Sequence, residues 1–182
     1  MNREETTEAT ATARHPPALS DAEKRERLRA LIGEFDTAML VTLTAKGGLR
    51  ARPLSLSSAS SLDALYFSTA IDSGKVAELE ADPRVVVCLQ DKRRFVSVSG
   101  VARVERDRAL IDRLWSESWR IWFPGGKDDP SLCVLVVEPT DAEYWDLTGS
   151  VGLSYAFKLA KGYLTGTRPA EDDERQNAKV PL

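Results

Sequence analysis

A mainly β chain of the α+β kind is the fold class this sequence predicts, with about seven short antiparallel strands closing into a barrel and small helices at its edges. Period-two apolar runs recur between residues 38 and 147, and most are joined by turns of a few residues. Hairpin spacing implies antiparallel pairing. A glycine, Gly100, interrupts the longest run and marks a bulge or bend, which favours closure over an open sheet. No GxGxxG follows a strand, which argues against a doubly wound dinucleotide fold. A length of 182 residues with 42% apolar content fits one domain.

The elements follow in order. Residues 1–18 carry little apolar content and are expected to form a flexible tail. Ser20 and Glu23 make a capping box, and Leu28, Leu31, Ile32 and Phe35 then mark one face of a helix. Strands are expected at 38–44 and 49–57, joined by Lys46-Gly47-Gly48, with a third at 64–69. Ser73 caps a short helix over 73–80, carrying Val76 and Leu79 inward, with Pro83 beyond its end. Residues 84–90, nearly all apolar, read as a central strand, and 95–105 as the next. Asp107 caps a helix bearing Leu110, Ile111, Leu114 and Trp115, followed by an irregular loop over 120–130. Two further strands, 132–138 and 142–147, meet at Pro139; a last helix spans 149–163. The globular part thus covers 19–167, and 168–182 is expected to be a polar tail.

Charge and composition narrow the function. Lys and Arg number 25 against 28 Asp and Glu, so no global basic field invites nucleic acid. No apolar run is long enough to span a membrane. The N-terminus lacks the apolar core of a secretory signal, and with free thiols the cytoplasm is the expected location. The single histidine, His15, lies in the expected tail, which leaves no Ser-His-Asp relay and no zinc site with two histidines. Any catalysis would rest on a bound cofactor. Cys88 and Cys133 read as small core residues.

Three constellations remain. Arg50 and Arg52 share a strand face with Leu54 and Leu56, either as rim arginines reaching water or a carboxylate, or as partners of an anion. From Ser68-Thr69 to Ser73-Gly74-Lys75 a strand end leads into a helix start, either a capped helix with a solvated lysine or an anion site. No P-loop is present. The loop aromatics Trp122 and Phe123 cover a ligand ring, a partner subunit or the protein's own core, whereas Trp115 belongs to a helix stripe.

Taken in order, RARPL (50–54), LYFSTAIDSGK (65–75), PRVVV (83–87) and FVSVSG (95–100) resemble the pyridoxamine 5'-phosphate oxidase-like FMN-binding split barrels. WFPGGKDDP (122–130) and AEYWD (142–146) are similar to the general stress protein branch of that family. The resemblance implies a six- to seven-stranded Greek-key split barrel that forms a homodimer, with FMN, or FAD, held between subunits. It implies that Arg52, with the backbone of Pro53 and Leu54, lines the ring and reaches the phosphate. Ser68 and Thr69 would sit beside the flavin, and Ser73 and Lys75 would hold the phosphate. Trp122 would cover the flavin from the second subunit. Phe95 falls where the oxidases proper often carry a glutamine, and Gly74 where they often carry a second basic residue. Their basic, His-containing C-terminal motif is missing here, which argues against pyridoxamine phosphate as substrate. The expected function is a flavin-dependent oxidoreductase or reductase; the alternatives are a non-catalytic flavin storage or sensing protein, and a barrel that has lost flavin. No catalytic acid or base stands out.

Overall fold

The computed structural model describes residues 18–168 and 173–182. Seven strands form one antiparallel sheet that curls into a half-barrel: β1 Thr37–Leu43, β2 Leu49–Ser55, β3 Leu65–Ala70, β4 Arg84–Gln90, β5 Arg94–Glu105, β6 Leu132–Asp146 and β7 Asn177–Pro181. The order is β2-β1-β4-β5-β6-β3, with β7 on the second half of β6. Four helices accompany it: α1 Asp21–Ile32, α2 Gly74–Ala81, α3 Arg108–Leu114 and α4 Gly149–Thr165. Among the described residues, no helix is long and apolar enough to cross a membrane.

The alternation that identified the strands also builds the core. Leu40, Phe67, Val87, Val98 and Leu135 point into the barrel, whose end is closed by Leu28, Leu31 and Ile32 of α1. Strand β6 is different: residues 132–137 are all buried. Cys133, Leu135 and Val137 face the barrel, whereas Leu132, Val134 and Val136 face a second core with Ile111, Leu114, Trp119 and Phe123. Helix α3 and a 3-10 turn, Glu117–Ile121, thus cover the outside of the barrel beside β3.

Three expectations are corrected. The strands expected at 132–138 and 142–147 are one strand, which bends at Pro139 opposite a register shift between Ser99 and Gly100. Part of the expected C-terminal tail is β7, whose Ala178 and Val180 are buried because the far half of β6 needs a neighbour. The loop expected over 120–130 contains the end of the first 3-10 turn and all of a second, Gly126–Asp128. The expected flexibility of 1–17 lies outside the described residues.

Helix α1 has the full capping box, with Ser20 and Glu23 each accepting from the other's backbone. Its outer face is tied to the C-terminal segment by Lys24–Glu174 at 2.7 Å, and to β6 by Arg27–Asp146 at 2.7 Å. At the bend, a Cβ on Gly100 would stand 2.5 Å from the Glu138 carbonyl oxygen and 2.9 Å from Val137. Backbone cannot yield there cheaply, so Gly100→Ala is expected to cost about 1–3 kcal/mol. An unchanged urea midpoint would show that the bend relaxes.

Candidate functional site

The strand end of β3 and the start of α2 meet at a cluster of hydroxyls and one amine. Lys75 Nζ donates to Thr69 Oγ1 at 2.8 Å, and Thr69 Oγ1 lies 3.4 Å from Ser73 Oγ. Ser73 sits at the N-cap of α2 yet makes no side-chain cap, and the first turn holds no acidic residue. Ser73 and Val76 N–H donate to the Ala70 and Ser73 carbonyls, while the N–H groups of Gly74 and Lys75, with no backbone partner among the described hydrogen bonds, are left for water or a ligand, with the positive end of the helix behind them. Lys75 is half-buried, and burial, followed by the nearby Arg52 charge, pulls its pKa below the ordinary 10.5. Among the described ion pairs none involves Lys75. Beneath the cluster, the Cys133 thiol donates to the Thr69 carbonyl at 3.3 Å, and burial pushes that thiol up to about 11, so it stays protonated.

This cluster forms the polar end of a cavity of about 560 Å³. Six expected site residues come together on its lining: Pro53, Leu54, Ser68, Thr69, Ser73 and Lys75. The opposite wall comes from the chain after α3, where Trp119 and Phe123 are anchored in the second core and Ile121 and Trp122 stand exposed at the rim. Trp122 therefore lines the cavity of its own chain. Phe95 is absent from the lining and lies on β5, opposite Trp145.

Arg52 also lies outside the lining. Its guanidinium donates to Glu78 at 2.6 Å and to Thr42 at 2.8 Å, and Arg50 donates to the other Glu78 oxygen at 2.8 Å. Glu78 is buried on the inner face of α2, where it also accepts from Thr42 at 2.6 Å. That hydroxyl, then the arginines, hold its carboxyl below the usual range against the opposing effect of burial. The anion wanted by the arginine pair is thus built into the fold. Sequence reading missed Glu78, since its one signal is an acid at the position before Leu79 on an otherwise inward stripe.

A family model, pyridoxamine 5'-phosphate oxidase like, matches residues 23–170. The chain belongs to this family. General stress protein 26 of Bacillus subtilis is 34% identical over 82 residues, 42% of this chain and 58% of that protein, so the match spans less than two thirds of that relative. A solved structure described as general stress protein 26 from Jannaschia sp. CCS1 superposes with a TM-score of 0.68, covering 88% of this chain and 99% of that one. At 24% identity it establishes the split-barrel fold alone. The general stress FMN/FAD binding protein of Xanthomonas citri is 29% identical, with a TM-score of 0.60 over 71% of this chain and 92% of its own.

Proposed function

We propose that this family member binds FMN in the cavity, as a homodimer of the general-stress type, and works as a flavin-dependent oxidoreductase or reductase. The observation that carries the reading is the two-ended lining. One end gathers a lysine without a carboxylate partner among the described ion pairs, three hydroxyls and an uncapped helix start; the other is aromatic and aliphatic. A phosphate suits the first and a planar ring the second. The volume, about 560 Å³, falls in the range of small-molecule sites. The Xanthomonas citri relative, named for FMN/FAD binding, supports the same ligand. Because FAD shares that phosphate, the site accommodates either in principle.

Lys75, Ser73 and the α2 N-terminus would fix the phosphate, Ser68 and Thr69 would border the ring, and Pro53 and Leu54 would lie along it. Arg52 adds positive field from behind Lys75 while its hydrogen bonds go to Glu78. When bound, the flavin supplies the hydride or electron chemistry. Among the described residues lining the cavity there is no Asp, Glu or His. The protein's part is therefore orientation and charge, and this feature also favours the second reading, a flavin carrier or sensor without turnover.

Purified protein decides between them. A flavin absorption band, or one gained on adding FMN, is the expected result; protein that stays colourless with excess FMN overturns the reading. Bound flavin that neither NADH nor NADPH reduces supports the carrier or sensor. The lowered Lys75 pKa adds a pH test. The ammonium, not the neutral amine, attracts the phosphate, so FMN affinity should fall as pH rises, with the fall beginning below the ordinary lysine value of 10.5. Riboflavin, lacking phosphate, should show no such fall in a fluorescence titration.

A further inference from the structure

We propose that Glu78 sets how tightly the cavity holds an anion: by keeping Arg52 on its own carboxylate it withholds a second cation from the phosphate end and leaves Lys75 to act there alone; this rests on the phosphate end of the proposed flavin site. Glu78 is 8% exposed and does not line the cavity. Both of its oxygens are engaged. One accepts from Arg50, the other from Arg52 and from Thr42, which is itself buried on β1. A carboxylate drawn inside under a short helix is costly unless it is paired, and β2 supplies two arginines on the face beneath it.

The geometry makes that carboxylate and a bound phosphate rivals for one guanidinium. Arg52 and Leu54 are two apart on β2, so they share a strand face and lie about 6–7 Å apart along it. Leu54 lines the cavity and Arg52 does not. The same closeness is seen from α2. Lys75, which lines the cavity, and Glu78 are three apart and therefore neighbours on the helix surface. The Lys75 amine feels the charges of both Arg52 and Glu78. Arg52 is thus held one step short of the site, by a fork whose shape suits phosphate oxygens as well as it suits a carboxylate. Thr42 fixes the arrangement, accepting from Arg52 at 2.8 Å while it donates to Glu78 at 2.6 Å. A site left with one half-buried cation holds its ligand less tightly and releases it faster, which suits a flavin that is exchanged over one that stays for the life of the protein.

The test uses the full chain. Glu78→Gln keeps the shape of the side chain and removes its charge. Titration calorimetry should show FMN and inorganic phosphate each bound about tenfold more tightly than by the native protein, the effect of one added charge-assisted hydrogen bond, with riboflavin unchanged. Damage to the fold would weaken all three, so a gain confined to the two phosphate-bearing ligands belongs to the charge. Adding Arg52→Ala should abolish the gain, although the same substitution removes little FMN affinity from the native protein. Phosphate bound no more tightly by Glu78→Gln overturns the proposal. So does a gain that survives the loss of Arg52. Should Glu78→Gln fail to fold, Arg52→Ala in the native chain decides: a small FMN loss supports the proposal, and a loss as large as that of Lys75→Ala shows that the guanidinium already reaches the ligand and overturns it. Inorganic phosphate needs no ring, so a phosphate gain in a protein that refuses FMN would sink the flavin reading alone.

Discussion

Glu78→Ala is expected to destabilise the fold by about 2–3 kcal/mol, lowering the melting temperature by roughly 5–10 °C. Removing one partner of a fully buried pair costs about 3–5 kcal/mol because the remaining charge is stranded. Here Arg50 is well exposed and can turn to water, which places the cost below that range. Arg52 has less freedom, with its side chain 16% exposed and Lys75 nearby, so it loses its compensating charge beside another cation. Thr42, buried on β1, loses its carboxylate partner too. The pH dependence separates this account from a simple packing defect. The Glu78 carboxyl titrates below its ordinary 4.5 in the fold, so its stabilisation is fully present above that pH and is lost as pH falls through the lower, folded value. The deficit of the variant measured by urea denaturation should therefore be largest near neutrality and shrink in acid. A deficit equally large in acid would mean that the methylene stem, not the charge, matters.

The contrast between Glu78 and Lys75 shows what a sequence exposes and what it hides. Ser68 through Lys75 are close in space because they are close in sequence: a strand ends, a turn follows and a helix begins, and that order is legible in one pass. Glu78 reads as an ordinary helix acid until β1 and β2 are laid beneath α2, a pairing that no local pattern encodes. The aromatic wall is intermediate. Trp122 and Phe123 are conspicuous, but only the covering of β6 and β3 by α3 and the 3-10 turn decides that Phe123 anchors in the second core while Trp122 reaches the rim. Strand β6 lacks the alternation of its neighbours because both faces of residues 132–137 are buried, and its continuity through Pro139 depends on the bulge at Gly100 across the ladder. Strand β7 was hidden for another reason. Five residues with two small buried side chains carry too little apolar signal to stand out from a polar segment, and their burial comes from β6.

Lys75→Ala should weaken FMN binding by about 10- to 100-fold while leaving riboflavin affinity nearly unchanged. A charge-assisted hydrogen bond contributes about 1.5–3 kcal/mol, and each 1.4 kcal/mol is about tenfold in affinity. The effect belongs near the upper end because the amine is half-buried, where water screens it poorly, and no described ion pair gives it a competing carboxylate. Its one hydrogen bond among the described residues, to Thr69, can be kept while the remaining N–H groups turn to a phosphate. The backbone N–H groups of Gly74 and Lys75 survive the substitution, so residual phosphate binding is expected. Arg52→Ala supplies the comparison. Because that guanidinium is engaged by Glu78 and Thr42, its loss should lower stability more than it lowers FMN affinity, the reverse of Lys75. Titration of both variants with FMN and riboflavin, beside thermal melts, separates the two roles. Equal loss of FMN and riboflavin affinity in Lys75→Ala would place the phosphate elsewhere on the protein, and an FMN loss in Arg52→Ala as large as in Lys75→Ala would mean that the guanidinium leaves Glu78 when the ligand arrives.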